Sequence, residues 1–172
     1  MDFMNMKRQL EGSAPDAVRL ELALSLKTVS GIPDIWIERW MESGDVYLKI
    51  AAMNACIDRR YNRVEIIEEG LFDGDHRVFD AATEACLYTY IPADIVGKWL
   101  SSQKDRFRVA AMNACINTWH LPFAFIRRGL QDSSLRVRKA AMSAYVKRRQ
   151  FPISYNREKY YFGPELVRNS FD

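Results

Sequence analysis

Apolar residues recur along this chain at intervals of three and four, interrupted by short polar turns. In one such run Leu48, Ala51, Ala52 and Ala55 fall at helical spacing on one face, the pattern of an amphipathic helix. The run is not alone. Four segments align, 41–56, 71–86, 100–115 and 130–145, and their first alanines, Ala51, Ala81, Ala110 and Ala140, stand 30, 29 and 30 residues apart. A fixed period of this length is the mark of a repeat architecture.

Each repeat opens with residues such as Ser43-Gly44-Asp45, Asp73-Gly74-Asp75 or Asp132-Ser133-Ser134, which supply capping oxygens to the unpaired amides of a helix start. A first helix follows. The second half of the unit begins at a recurring proline, in Ile32-Pro33, Ile91-Pro92, Leu121-Pro122 and Phe151-Pro152. Proline suits the first turn of a helix and disfavours continuation of the one before, so a second helix is expected there. One unit has Arg63 in place of that proline. Extending the register gives helices over 16–28, 33–41 and 136–150, and about five antiparallel helix pairs. The expectation is a single domain over 1–172: a divergent amino-terminal cap (1–42), regular repeats (43–150) and an irregular cap or tail (151–172).

The pattern of Leu130, Asp132, Val137-Arg138 and Ala140-Ala141 resembles the signature of short HEAT-like repeats, the variety found in phycobilin lyase subunits. The likeness covers roughly residues 41–150. It implies an all-α fold, a right-handed α-solenoid or ARM-like superhelix, and leaves function open because such repeats serve unrelated roles. It also implies a basic residue after the hydrophobic position of each first helix, met by Lys49, Arg108 and Arg138 but replaced by Phe79 in one unit. A ladder of ion pairs between units is therefore expected to break there.

Charge changes this picture. The 172 residues carry a formal net charge of +3, yet residues 1–75 hold 9 Lys/Arg against 14 Asp/Glu and residues 76–172 hold 16 against 8. In a linear array, order in sequence becomes order in space, so an acidic half and a basic half are expected. The first ten residues lack the uninterrupted apolar stretch of a signal peptide, and no segment approaches the roughly 20 apolar residues that span a bilayer. A cytoplasmic protein without membrane contact is the expectation.

Catalytic, metal and cofactor chemistry finds no support in the pattern. Cys56, Cys86 and Cys115 occupy one position of successive repeats. Stacked helices lie roughly 8 to 10 Å apart and a disulfide needs Cα atoms within about 7 Å, so these read as packing residues. His76 and His120 sit in non-equivalent places, without a paired His-Glu motif, a phosphate loop or a nucleophile elbow. Di-iron hydroxylases of similar fold carry paired His-Glu motifs, and DNA glycosylases with related repeats place a carboxylate beside aromatics. Asp94 near Trp99 is the one such pairing, and one acid near one tryptophan is a common coincidence.

Binding is the remaining reading. The second helices present Glu38-Arg39, Glu68-Glu69, Gly97-Lys98 and Arg127-Arg128 in register, a ladder from acidic to basic whose bland alternative is a solvated face. Residues 127–149 add Arg136, Arg138, Lys139, Lys147, Arg148 and Arg149 to Arg127 and Arg128, against the single acid Asp132. Arg138 also matches the ladder position, and Lys147 to Arg149 suit a helix carboxyl end. The tail interleaves Tyr155, Arg157, Tyr160 and Tyr161, which fits either covering of the last repeat's apolar edge or stacking on nucleic-acid bases. The partner-binding candidates are thus Lys98, Arg127, Arg128, Arg136, Lys139, Lys147, Arg148, Arg149, Tyr155, Arg157, Tyr160 and Tyr161. The expected partner is a protein with an acidic patch, and the chain is read as an adaptor or stoichiometric inhibitor. Nucleic acid, or inhibition of a nucleic-acid-binding enzyme, is the alternative.

Overall fold

The computed structural model describes residues 3–57, 63–117 and 121–150, and these form ten α-helices and one 3-10 turn, with no strand among them. The fold is all-α. None of the helices is long and apolar enough to cross a membrane.

The helix starts follow the local chemistry. α3 (Asp34–Glu42), α7 (Ala93–Leu100) and α9 (Phe123–Leu130) begin directly after Pro33, Pro92 and Pro122, whose φ values of −61°, −57° and −56° are those the ring imposes. α4 (Val46–Ala55) starts where the Asp45 carboxylate accepts from the amides of Tyr47 and Leu48. α6 (His76–Ala85) starts where Asp75 accepts from the Arg77 amide. α2 (Asp16–Ser25) tightens into the 3-10 turn Leu26–Thr28. α5 (Val64–Phe72), α8 (Asp105–Asn117) and α10 (Leu135–Gln150) complete the repeats. An additional helix, α1 (Phe3–Glu11), precedes them and buries Met6 and Leu10.

The helices group into two compact units, Met1–Thr89 and Tyr90–Asp172. In the first, α2, α4 and α6 pack in sequence as one row, while α3 packs on α4 and α5 chiefly on α6, the two lying side by side; α1 packs on α2 and α4. In the second, α8 packs on α10, and α7 lies beside α9 as the other row.

A larger repeat occurs twice, one copy falling almost wholly within each unit. Residues 33–91 and 92–150 align without a gap, and 19 of the 59 positions are identical. The period of about 30 residues alternates: Trp40 and Trp99 occupy the position that Gly70 and Gly129 occupy in the intervening second helices. Both tryptophans are buried. Both glycines sit where no side chain fits. A Cβ on Gly70 would overlap Met53 Sδ and stand 2.9 Å from the Ala82 Cβ; on Gly129 it would overlap Met112 Sδ and again stand 2.9 Å from the Ala141 Cβ. One glycine thus lets a second helix settle between two first helices in each unit.

Buried polar side chains satisfy backbone carbonyls between successive repeats. Asn54 Nδ2 donates to the Ala23 carbonyl at 2.9 Å, and Thr89 Oγ1 to that of Cys56 at 3.0 Å. Arg63, only 5% exposed, donates Nη2 to Ile32 at 3.1 Å, Nη1 to Ala55 at 2.8 Å and Nε to Asp34 Oδ1 at 2.7 Å. Arg148, 6% exposed, donates Nη1 to Leu121 at 2.8 Å. Ile32 and Leu121 are the residues before Pro33 and Pro122, so in both places an arginine from further along the chain anchors the turn that starts a second helix.

Candidate interaction surface

The cations on α7 and α9 face outward because of the stripes those helices bury. α9 buries Ile126, Gly129 and Leu130, so at about 100° per residue Arg127 and Arg128 turn to solvent. α7 buries Val96, Trp99 and Leu100 and exposes Lys98. The two helices meet closely: the Phe125 ring comes within 3.9 Å of where a Gly97 Cβ would stand. Arg128 Nη2 reaches across to Ser101 Oγ at 3.3 Å, about one helical turn beyond Lys98.

Beside Arg128 lies an open groove of about 520 Å³, lined by Leu100, Ser101, Ser102, Gln103, Arg108, Arg128, Gln131, Asp132 and Ser133. Its only acid is engaged. Arg108 grips Asp132 with Nε to Oδ2 at 2.7 Å and Nη2 to Oδ1 at 3.0 Å, and its Nη1 donates to the carbonyls of Ser102 and Gln103 at 2.8 and 3.1 Å. Burial pushes the Asp132 carboxyl up, but the Arg108 hydrogen bonds, the Ser134 amide and the charges of Arg108 and Arg128 hold it below the usual carboxylate range. With that pair neutralised, Arg128 gives the groove its positive charge. Hydroxyls, amides and one guanidinium suit a carboxylate or a phosphate oxygen.

The remaining candidates divide. Arg136, Lys139 and Lys147 are exposed on α10, in the row with α8, and so belong to a different flank from Arg127 and Arg128. Arg149 is also exposed, with its guanidinium 5.2 Å from the centre of the Tyr145 ring. Arg148 departs from the sequence expectation of a surface cation. It is buried against Phe123, 5.0 Å from the ring centre, and bound to the Leu121 carbonyl, because it follows Ala141, Ala144 and Tyr145 on the inward stripe of α10. Tyr155, Arg157, Tyr160 and Tyr161, with His120, lie outside the described residues. Sequence reasoning missed Ser101, Ser102, Gln103 and Gln131 as groove residues; the signal that could have found the site is the separation of 24 residues shared by Lys49–Asp73 and Arg108–Asp132.

Among the described residues no group of three or more His, Cys, Asp or Glu side chains could hold a metal ion. Cys56, Cys86 and Cys115 are free and buried. Burial pushes the thiols of Cys56 and Cys115 up to about 12 and that of Cys86 up as well, the opposite of an activated nucleophile. No family model, curated protein or solved structure matches the chain.

Proposed function

We propose that this chain is a non-catalytic binding module built as a HEAT-like α-solenoid of antiparallel helix pairs, and that the α7–α9 face of its second unit takes an acidic patch of a protein partner. The repeat of about 30 residues and the rows of first and second helices support the architecture. Reduced, buried cysteines suit a cytoplasmic protein acting as an adaptor or stoichiometric inhibitor.

One observation carries the reading. Arg127 and Arg128 are exposed on α9, and Arg128 lines a groove whose single acid is already held by Arg108, leaving a surface that is cationic and rich in donors. Rigid helices present it, which favours binding without loss of loop entropy. Affinity capture from the native host, with wild type and Arg127→Glu/Arg128→Glu compared side by side, tests it. A protein retained by wild type and lost by the folded variant is the expected result. Equal retention by both overturns the reading.

A second reading rests on total charge. The described residues of the second unit hold 12 Lys/Arg against 3 Asp/Glu, a density that suits nucleic-acid phosphates and predicts affinity falling steeply with salt. Retardation of DNA or RNA at low salt supports it; no retardation at low salt removes it.

A further inference from the structure

The α10 flank differs from its counterparts in the same row. At the repeat-equivalent positions of α8, Ala110, Met112 and Ile116 are 0, 0 and 4% exposed, since α10 packs over that helix. On α10 itself Ala140 and Met142 are half-buried, Val146 is 46% exposed and Leu135 47%. The charged side chains exposed around this strip, Arg136, Lys139, Lys147 and Arg149, are all cations. The strip is what a first helix shows before the next repeat covers it.

A complementary flank lies in the other unit. α2 buries Leu22 and Ala23, on the side where α4 packs, and exposes Val18 (38%), Leu20 (36%) and Leu24 (44%). Its exposed charged side chains are acids, Asp16 and Glu21; its one cation, Arg19, is held by Asp45 at 2.6 Å. Val18, Glu21 and Leu22 also line a cleft of about 420 Å³ against Met6 and Gln9 of α1. α2 and α10 are both first helices. One offers apolar residues flanked by acids, the other apolar residues flanked by cations.

We infer that the α10 flank docks the α2 flank of a second copy of this chain, continuing the first-helix row from one molecule into the next. Exposed apolar surface gives the contact its driving force and the opposite charges select the pairing. Because the two surfaces differ, the contact is heterologous, and each copy that uses one keeps the other open. Association then grows past a dimer unless it closes into a ring. The contact uses neither Arg127 nor Arg128, so it does not depend on the proposed partner site.

Sedimentation velocity of the full chain, run from micromolar to millimolar protein at low and high salt, tests this. The expected result is a sedimentation coefficient that rises with concentration and falls with salt. Arg136→Glu/Lys139→Glu and Asp16→Lys/Glu21→Lys are each expected to remain monomeric alone and to associate when mixed, because each then meets the opposite charge at both contacts. Helical circular dichroism confirms that both are folded. A wild-type chain that stays monomeric throughout overturns the inference, as does association of either variant alone at the wild-type level. A chain ended after Gln150 shows which competitor covers the strip: association that appears only in this shortened form overturns the inference in favour of residues 151–172.

Discussion

Arg108 and Asp132 form two parallel hydrogen bonds, 2.7 and 3.0 Å long, across the turn between consecutive repeats. In the first unit Lys49 holds Asp73 through a single contact of 2.8 Å. The difference is chemical: a planar guanidinium matches a carboxylate at two points, an ammonium at one. At the corresponding place of the intervening repeat, Phe79 stands where the cation would be and Ser102 where the acid would be, so both members of the pair are replaced together. Asp132→Ala leaves a partly buried guanidinium without its carboxylate and is expected to cost about 1 to 3 kcal/mol. Asp73→Ala is expected to cost less. Urea denaturation followed by circular dichroism checks both.

These carboxylates also set an acid limit. Burial raises the Asp45, Asp73 and Asp132 carboxyls, but hydrogen bonds from Arg19, Lys49 and Arg108 respectively, with backbone amides, bring each below the usual carboxylate range. A lowered folded value means stability that is fully present above the unfolded pKa and is lost as pH falls through the folded one. The urea midpoint should therefore fall below about pH 4, and Asp73→Ala/Asp132→Ala should show a shallower fall. An unchanged slope in that variant would remove the pairs as its cause.

Gly70 and Gly129 make the same packing claim twice. Alanine is the better helix former by about 1 kcal/mol, but here its methyl meets a methionine sulfur and an alanine methyl. Overpacking should outweigh propensity, and either Gly→Ala change is expected to destabilise by about 1 to 3 kcal/mol. Shortening the methionine relieves part of the overlap. Gly129→Ala/Met112→Ala is thus expected to cost less than the sum of its single changes, with a double-mutant cycle as the measurement.

Burial protects the cysteines. Thiols pushed up to about 12 at Cys56 and Cys115, within a core that also encloses Cys86, should resist iodoacetamide near neutral pH in the folded chain. All three should react in denaturant. Mass spectrometry after timed labelling distinguishes the cases, and rapid labelling of the folded chain would contradict the packing role.

Local chemistry was readable directly: the helix starts after Pro33, Pro92 and Pro122, the Asp45 and Asp75 caps, and the outward phase of Arg127 and Arg128 all follow from neighbours in sequence. What escaped depends on distant partners. Arg63, read as a missing proline, is an anchor for carbonyls at Ile32 and Ala55, and no local pattern announces a contact across 31 residues. Arg148 was obscured by the charge run around it, although its phase with Ala141, Ala144 and Tyr145 was visible. α1 falls within the expected amino-terminal cap (1–42), but the repeat register extends back only to Asp16 and so does not reach Phe3, Met6 and Leu10. The alternation of Trp40 and Trp99 with Gly70 and Gly129 vanished when four repeats were aligned as equals. The groove by Arg128 needed the turns 101–103 and 131–133 brought together, which only the packing of α7 with α9 accomplishes.

The central claim is that binding depends on one face and not on total charge. Two folded variants with the same change in net charge separate these: Arg127→Glu/Arg128→Glu on α9 and Arg136→Glu/Lys139→Glu on α10. Titration calorimetry of each against the protein captured by wild type should show affinity abolished by the first and kept by the second. Equal loss in both would contradict the account.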